Sequence, residues 1–141
     1  MRGALGNSLL LYLIIAFVII IIVFFSSVLI YSKAYRAKNR IVEVIEKYGY
    51  YPENNDADRS IEEEIVNSLG AMGYQLGDCK KSNGVIQNKS GYKYCIEKKS
   101  SNEGTFYKVT TYVEFYFPLI NELFDPEVTS ETKILNKNYD Y

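Results

Sequence analysis

The chain has 141 residues with 16 basic and 17 acidic side chains, a net charge of −1, no histidine and two cysteines. This length holds one small domain with one appended segment, and the near-neutral balance gives no footprint for nucleic acid. Without histidine, Ser-His-Asp and Cys-His catalysis are excluded within the chain, and two cysteines alone do not complete a tetrahedral zinc site; no catalytic residue, cofactor or metal is expected.

Residues 1–8 form a short polar leader. Leu9 to Ile30 then read LLLYLIIAFVIIIIVFFSSVLI without a charge, and 18 of these 22 residues are Leu, Ile, Phe or Val. As a helix this stretch rises about 33 Å, against a hydrocarbon core of about 30 Å. At about −0.3 to −0.6 kcal/mol for each large apolar residue, insertion is favoured by about 5–11 kcal/mol. The stretch exceeds the roughly 7–15 apolar residues of a cleaved secretory signal. We therefore read 9–31 as a transmembrane helix in a lipid bilayer, with Tyr12 and Tyr31 near its two interfaces.

From Tyr31 to Tyr48 there is neither Gly nor Pro, and Gly49 and Pro52 follow. One helix is expected from about residue 5 to 48, ending at a glycine C-cap. Tyr31, Tyr35, Lys38, Val42 and Ile45 share one face of its extension, 32–50, and predict an apolar stripe, apart from Lys38, on which a domain packs.

Residues 51–141 form the domain, with 10 basic and 15 acidic residues. Asn54-Asn55-Asp56 reads as a loop. Ser60-x-x-Glu63 is a capping-box pattern opening a helix over about 60–72. Ile61, Ile65, Leu69 and Met72 form its buried face, Glu62, Glu63 and Glu64 a solvated first turn favoured by the helix dipole, and Gly70 or Gly73 its end. Strand patterns follow. Tyr92, Tyr94 and Ile96 alternate with polar neighbours. Ser100 to Gly104 is a turn. Tyr107, Val109, Thr111, Val113, Phe115 and Phe117 share one face of the strongest strand, with Lys108, Thr110, Tyr112, Glu114 and Tyr116 on the other. Pro118 closes that strand, Leu119 to Phe124 is a candidate short helical turn, and Val128 to Ile134 a last strand. The expected fold class is α+β: a long N-terminal helix, one shorter helix and an antiparallel sheet of about three strands.

Cys79 and Cys95 stand 16 positions apart. Two readings compete, a disulfide and two ordinary free thiols. A small domain on a membrane anchor favours the bridge, which persists only outside the cytoplasm. That places the C-terminal domain on the extracytoplasmic side. Lys33, Arg36, Lys38 and Arg40 after the span, against Arg2 before it, argue for the opposite orientation by the positive-inside rule. Asn88-Lys89-Ser90 matches an N-glycosylation sequon, and the 14 tyrosines offer a candidate binding patch with core packing as the plainer role.

The layout of a Gly-containing leader, a long apolar helix and an α+β domain with a two-cysteine loop resembles that of pilins and pseudopilins. It is most similar to the TadE-like minor pilin-like proteins of tight-adherence, type IV-related systems. The matching stretch is Arg2-Gly3-Ala4-Leu5-Gly6-Asn7-Ser8-Leu9-Leu10-Leu11-Tyr12. The resemblance implies leader cleavage between Gly6 and Asn7, which makes Leu11 the fifth mature residue and Tyr12 the sixth. Tyr12 and Gly6 match the pattern. Leu11 departs from it, because the fifth residue in the family is usually Glu, and this suits a tip or initiating subunit rather than a repeating one. The implied function is a non-enzymatic, membrane-anchored subunit of a surface filament or its assembly machine, partnered by other pilin-like subunits. The alternative is a single-pass extracytoplasmic binding or accessory domain of another membrane complex.

Overall fold

A computed structural model describes residues 2–52, 59–79, 84–86, 90–114 and 126–135. Helix α1 (Arg2–Tyr48) is followed by α2 (Arg59–Met72) and strands β1 (Val85–Ile86), β2 (Tyr94–Ser101), β3 (Gly104–Tyr112) and β4 (Glu127–Glu131). The strands form one antiparallel sheet in chain order, and the fold is α+β as the sequence implies. The sheet has four strands rather than three. The additional one, β1, pairs only Val85 with Glu97 and Ile86 with Ile96, which is too short to leave a periodic signal. The expected loop at Asn54–Asp56, Phe115 to Phe117, Pro118, the helical turn at Leu119 to Phe124, and Asn88 and Lys89 of the sequon lie outside the described residues.

Helix α1 is a single rod of 47 residues, about 70 Å long. It passes through Gly3 and Gly6 without a break. Its end is set by Gly49, at φ +79, whose N–H donates to the Ile45 carbonyl at 2.8 Å. This is the left-handed cap that glycine makes without steric cost. Helix α2 ends at Gly73 rather than Gly70. With Gly73 at φ +62, its N–H reaches the Gly70 carbonyl and the Tyr74 N–H reaches the Leu69 carbonyl, both at 3.0 Å. These are the two bonds of a Schellman motif. At its other end α2 starts at Arg59, so Ser60 sits inside the first turn and is not the expected cap.

The two helices run antiparallel, since Arg40 faces Ser68 and Lys47 faces Glu64. Ile61, Ile65 and Leu69 of α2 are fully buried, as their spacing predicts, and Met72 packs at the edge. The stripe on α1 holds at Ile45, which is buried, and at Val42, which packs on the core, and differs from expectation at its start. Tyr31 and Tyr35 are 52% and 46% exposed, and the buried line is Ala34, Ala37, Ile41, Val44 and Ile45. The reason is steric. Small side chains at 34 and 37 let the helix backbone approach the sheet, close enough for the Thr111 hydroxyl to donate to the Ala34 carbonyl at 2.9 Å.

Strands β2 and β3 pair from Tyr94–Thr111 to Ser101–Gly104, so the hairpin loop is only Asn102-Glu103. Tyr107, Val109, Thr111 and Val113 are buried on one face as expected, and Thr110 and Tyr112 on the other face are buried too. The last strand is shorter than the alternation over 128–134 suggests. Glu131 pairs with Lys108 and Leu135 with Thr105, which leaves one extra residue on the later chain, the count of a β-bulge. There the Thr132 hydroxyl accepts the Tyr107 N–H at 2.9 Å, replacing the ladder partner that the bulge removes.

Candidate functional site: the bare rod, the bridged sheet end and the helix clasp

The first half of α1 carries no buried side chain. Its most apolar window of 18 residues has a mean hydropathy of 3.3 and is 0% buried. It is the one helix among the described residues long and apolar enough to cross a membrane. The Ser27 hydroxyl, which hydrocarbon would not solvate, donates to the Val23 carbonyl at 2.8 Å. Gly6, Asn7, Leu11 and Tyr12 all lie within this bare helix and are exposed. A Cβ on Gly6 would meet no atom within 4 Å, so no packing within the chain requires glycine there.

Cys79 and Cys95 are joined in a disulfide with Cα atoms 5.3 Å apart, within the span such bridges need. Of the two readings of the pair, the bridge is the one realised. It ties the segment after α2 to the start of β2. Cys95 is fully buried, and the Tyr112 hydroxyl lies 3.1 Å from its sulfur. A disulfide sulfur carries no proton, so the hydroxyl is the donor. The same segment is held by backbone bonds, Gly77 N–H to the Gly91 carbonyl at 2.9 Å and Lys93 N–H to the Gln75 carbonyl at 3.2 Å. The turn passes through Gly77 at φ +150, where a Cβ would also meet Lys93 Cδ at 3.3 Å.

A tyrosine clamp beside the bridge has no signature in the sequence. The Tyr74 hydroxyl donates to the Lys93 carbonyl at 2.7 Å and accepts the Tyr112 N–H at 3.0 Å. Gln75 Nε2 donates to the Tyr112 carbonyl at 2.9 Å. Tyr74 thus closes the end of the β2–β3 pair, where both chains leave the ladder. Tyr74→Phe strands two buried backbone groups and is expected to cost about 1–3 kcal/mol in urea unfolding. A change within about 0.3 kcal/mol would mean that water replaces the hydroxyl.

Burial pushes the Tyr74 hydroxyl up from 10.0 to about 12, against the pull of its hydrogen bonds at Tyr112 and Gln75. Burial also raises Tyr51, reinforced by its contact with Tyr94, and raises Tyr94 itself. A group whose folded-state pKa is raised contributes stability that is present below its unfolded value and lost above it. The melting midpoint is therefore expected to hold up to about pH 10 and to fall between about pH 10 and pH 12. A midpoint constant through that window would contradict the burial of these hydroxyls.

The two helices are clasped by Glu64, a residue that its local sequence places on a solvated helix start. Its carboxylate accepts from Lys47 Nζ at 3.0 Å and from the Tyr48 hydroxyl at 3.0 Å, with Arg40 at 3.7 Å. Arg40 also reaches Glu43 at 2.8 Å and the Ser68 hydroxyl at 3.2 Å. The bonds from Lys47 and Tyr48 hold the Glu64 carboxyl below its ordinary value of 4.5. The sign is that of a depressed acid: its contribution is complete above the ordinary glutamate range and lost as pH falls through the lower folded-state value. Acid unfolding is expected to come at higher pH in Glu64→Gln than in the parent. Coincident acid transitions would show that the clasp carries no stability.

Among the described residues, no three His, Cys, Asp or Glu side chains gather where a metal ion could be held. Two open grooves border α2. One of about 520 Å³ is lined by Ser60, Glu63, Asn67 and Ala71, and one of about 350 Å³ by Arg36, Asn39, Arg40 and Met72. No protein-family model, no curated protein and no solved structure matches the chain.

Proposed function

We propose that the chain is a non-enzymatic, single-pass, membrane-anchored subunit of the pilin-like kind, contributing to a surface filament or to the machine that assembles one. The domain stands on the extracytoplasmic side. One observation carries this reading: α1 is unbroken from Arg2 to Tyr48, bare and apolar in its first half and part of the globular core in its second. A flexible tether would let anchor and domain move independently. A continuous rod fixes them as one body, as a subunit that transmits position along a stack requires. Lipid and neighbouring apolar helices are similar surroundings for such a rod, so its transfer from bilayer to bundle costs little. The Cys79–Cys95 bridge supports the extracytoplasmic side against the basic residues that follow the span.

A second reading, an accessory domain of another membrane complex, has its own support in Leu11. At the fifth place after Gly6 it offers no carboxylate to pair with a neighbour's amino terminus. Purification of the full-length protein from native membranes under mild crosslinking separates the two. Recovery with a filament or its assembly ATPase is expected on the first reading, and an N-terminus at Asn7 would add to it. Recovery with an unrelated transporter or sensor would replace it with the second. Recovery of the uncleaved protein in the soluble fraction would overturn both.

A further inference from the structure

The geometry points to a basic collar, formed by Lys33, Arg36 and Lys38 at the foot of the domain, that binds the phosphates of anionic phospholipids in the leaflet beneath it. The inference rests on the reading that α1 spans a bilayer, and it adds a ligand class to it. With the span ending at Tyr31, Lys33 and Arg36 stand about 3 and 8 Å further along the axis, at headgroup depth. Lys33 and Arg36 are exposed, and Lys38 stands behind them. It is only 6% exposed, and its ammonium lies 4.1 Å from the centre of the Tyr35 ring. That contact draws the charge back by about one turn towards the membrane. Its stem is covered by the chain, so its charge reinforces the field of Lys33 and Arg36 rather than seating a phosphate itself. Among the described residues, the carboxylates of α1 and the facing α2 carboxylate are engaged elsewhere: Glu43 by Arg40, Glu46 by the Lys133 N–H, and Glu64 by Lys47, Arg40 and Tyr48. Among the described residues, no ion pair engages Lys33, Arg36 or Lys38.

Two further features agree. Lys33 and Arg36 lie about 60° apart around the helix and both are exposed, so their two charges meet the same stretch of headgroups. Tyr31 and Tyr35, exposed at the same level, suit the interfacial zone where aromatic rings with polar tips collect. The collar also answers a repulsion, since residues 51–141 carry five more acidic than basic side chains and an anionic surface would otherwise push the domain away.

The test is native mass spectrometry of the full chain released from nanodiscs of equimolar phosphatidylcholine and phosphatidylglycerol. Retained lipid is expected to be enriched in phosphatidylglycerol. Lys33→Gln with Arg36→Gln, at exposed sites that leave the fold alone, should lower that enrichment by more than tenfold, and Lys38→Met by less than about threefold. Lys99→Gln, at the far hairpin, should leave it unchanged. Equal retention of the two lipids, or enrichment untouched by the collar variants, overturns the site while leaving the membrane span intact. Inorganic phosphate that displaces phosphatidylglycerol at matched concentration would reassign the collar to free phosphate and overturn the lipid source. A chain that does not enter the nanodisc overturns the span and the collar together.

Discussion

Replacing Cys79 and Cys95 together by alanine is expected to lower the domain's unfolding free energy by about 3 kcal/mol. The bridge closes a loop of 16 positions, and opening it returns chain entropy to the unfolded state. Small domains are stable by only about 5–15 kcal/mol, so this loss is a large share of the whole. For a domain of this size it corresponds to a fall in Tm of about 12–24 °C. Cys95 is fully buried at the end of β2, and one of its neighbours, the Tyr112 hydroxyl, loses an acceptor when the sulfur goes. The measurement is a circular-dichroism melt of the full chain in detergent, comparing parent, reduced parent and double variant. A fall under about 3 °C would show that the Gly77–Gly91 and Lys93–Gln75 bonds hold the segment without the bridge. The same bridge reports the compartment: thiols that become reactive in intact cells only after a membrane-impermeant reductant would place the domain outside.

The second large effect is in the rod. Ile45→Ala is expected to cost about 2–5 kcal/mol, through lost transfer energy and the cavity left behind. Ile45 is fully buried and belongs to a core shared with Ile61 and Ile65 of α2 and Val109 of β3. Leu10→Ala, a change of similar size on the bare half, should alter unfolding of the domain by less than about 0.5 kcal/mol. Urea unfolding in one detergent, followed by the near-ultraviolet signal of the tyrosines, checks both. Equal effects would mean that the two halves of α1 unfold as one unit. No effect at position 45 would mean that the domain folds without the helix.

Much of this architecture was legible before any coordinates. An uninterrupted run from Leu9 to Ile30 has one outcome as a helix. Gly49 marked the end of α1, and the spacing of Ile61, Ile65 and Leu69 marked the buried face of α2. Alternation along β3 identified its inward face. The two cysteines left bridge and free thiols both open, and proximity in the fold decided between them. Three features were hidden. Along α1 the periodicity marks Val42 and Ile45 correctly but places Tyr31 and Tyr35 on the contact face, because hydropathy favours large rings where close approach needs Ala34 and Ala37. Glu64 read as a solvated charge, since nothing local shows that Lys47 and Tyr48 stand opposite it. Tyr74 read as one tyrosine among 14.

What the sequence determined by itself is therefore local and periodic: the apolar rod, its cap, the second helix and the main strands. Each follows from interactions within a few positions along the chain or from one-dimensional patterns of burial. Only the tertiary structure decided which face of α1 the sheet covers, that Glu64 clasps the two helices and that Tyr74 closes the sheet end. Those arrangements join residues 16 to 77 positions apart. Such pairings are set by packing of the whole chain, and no local pattern encodes them.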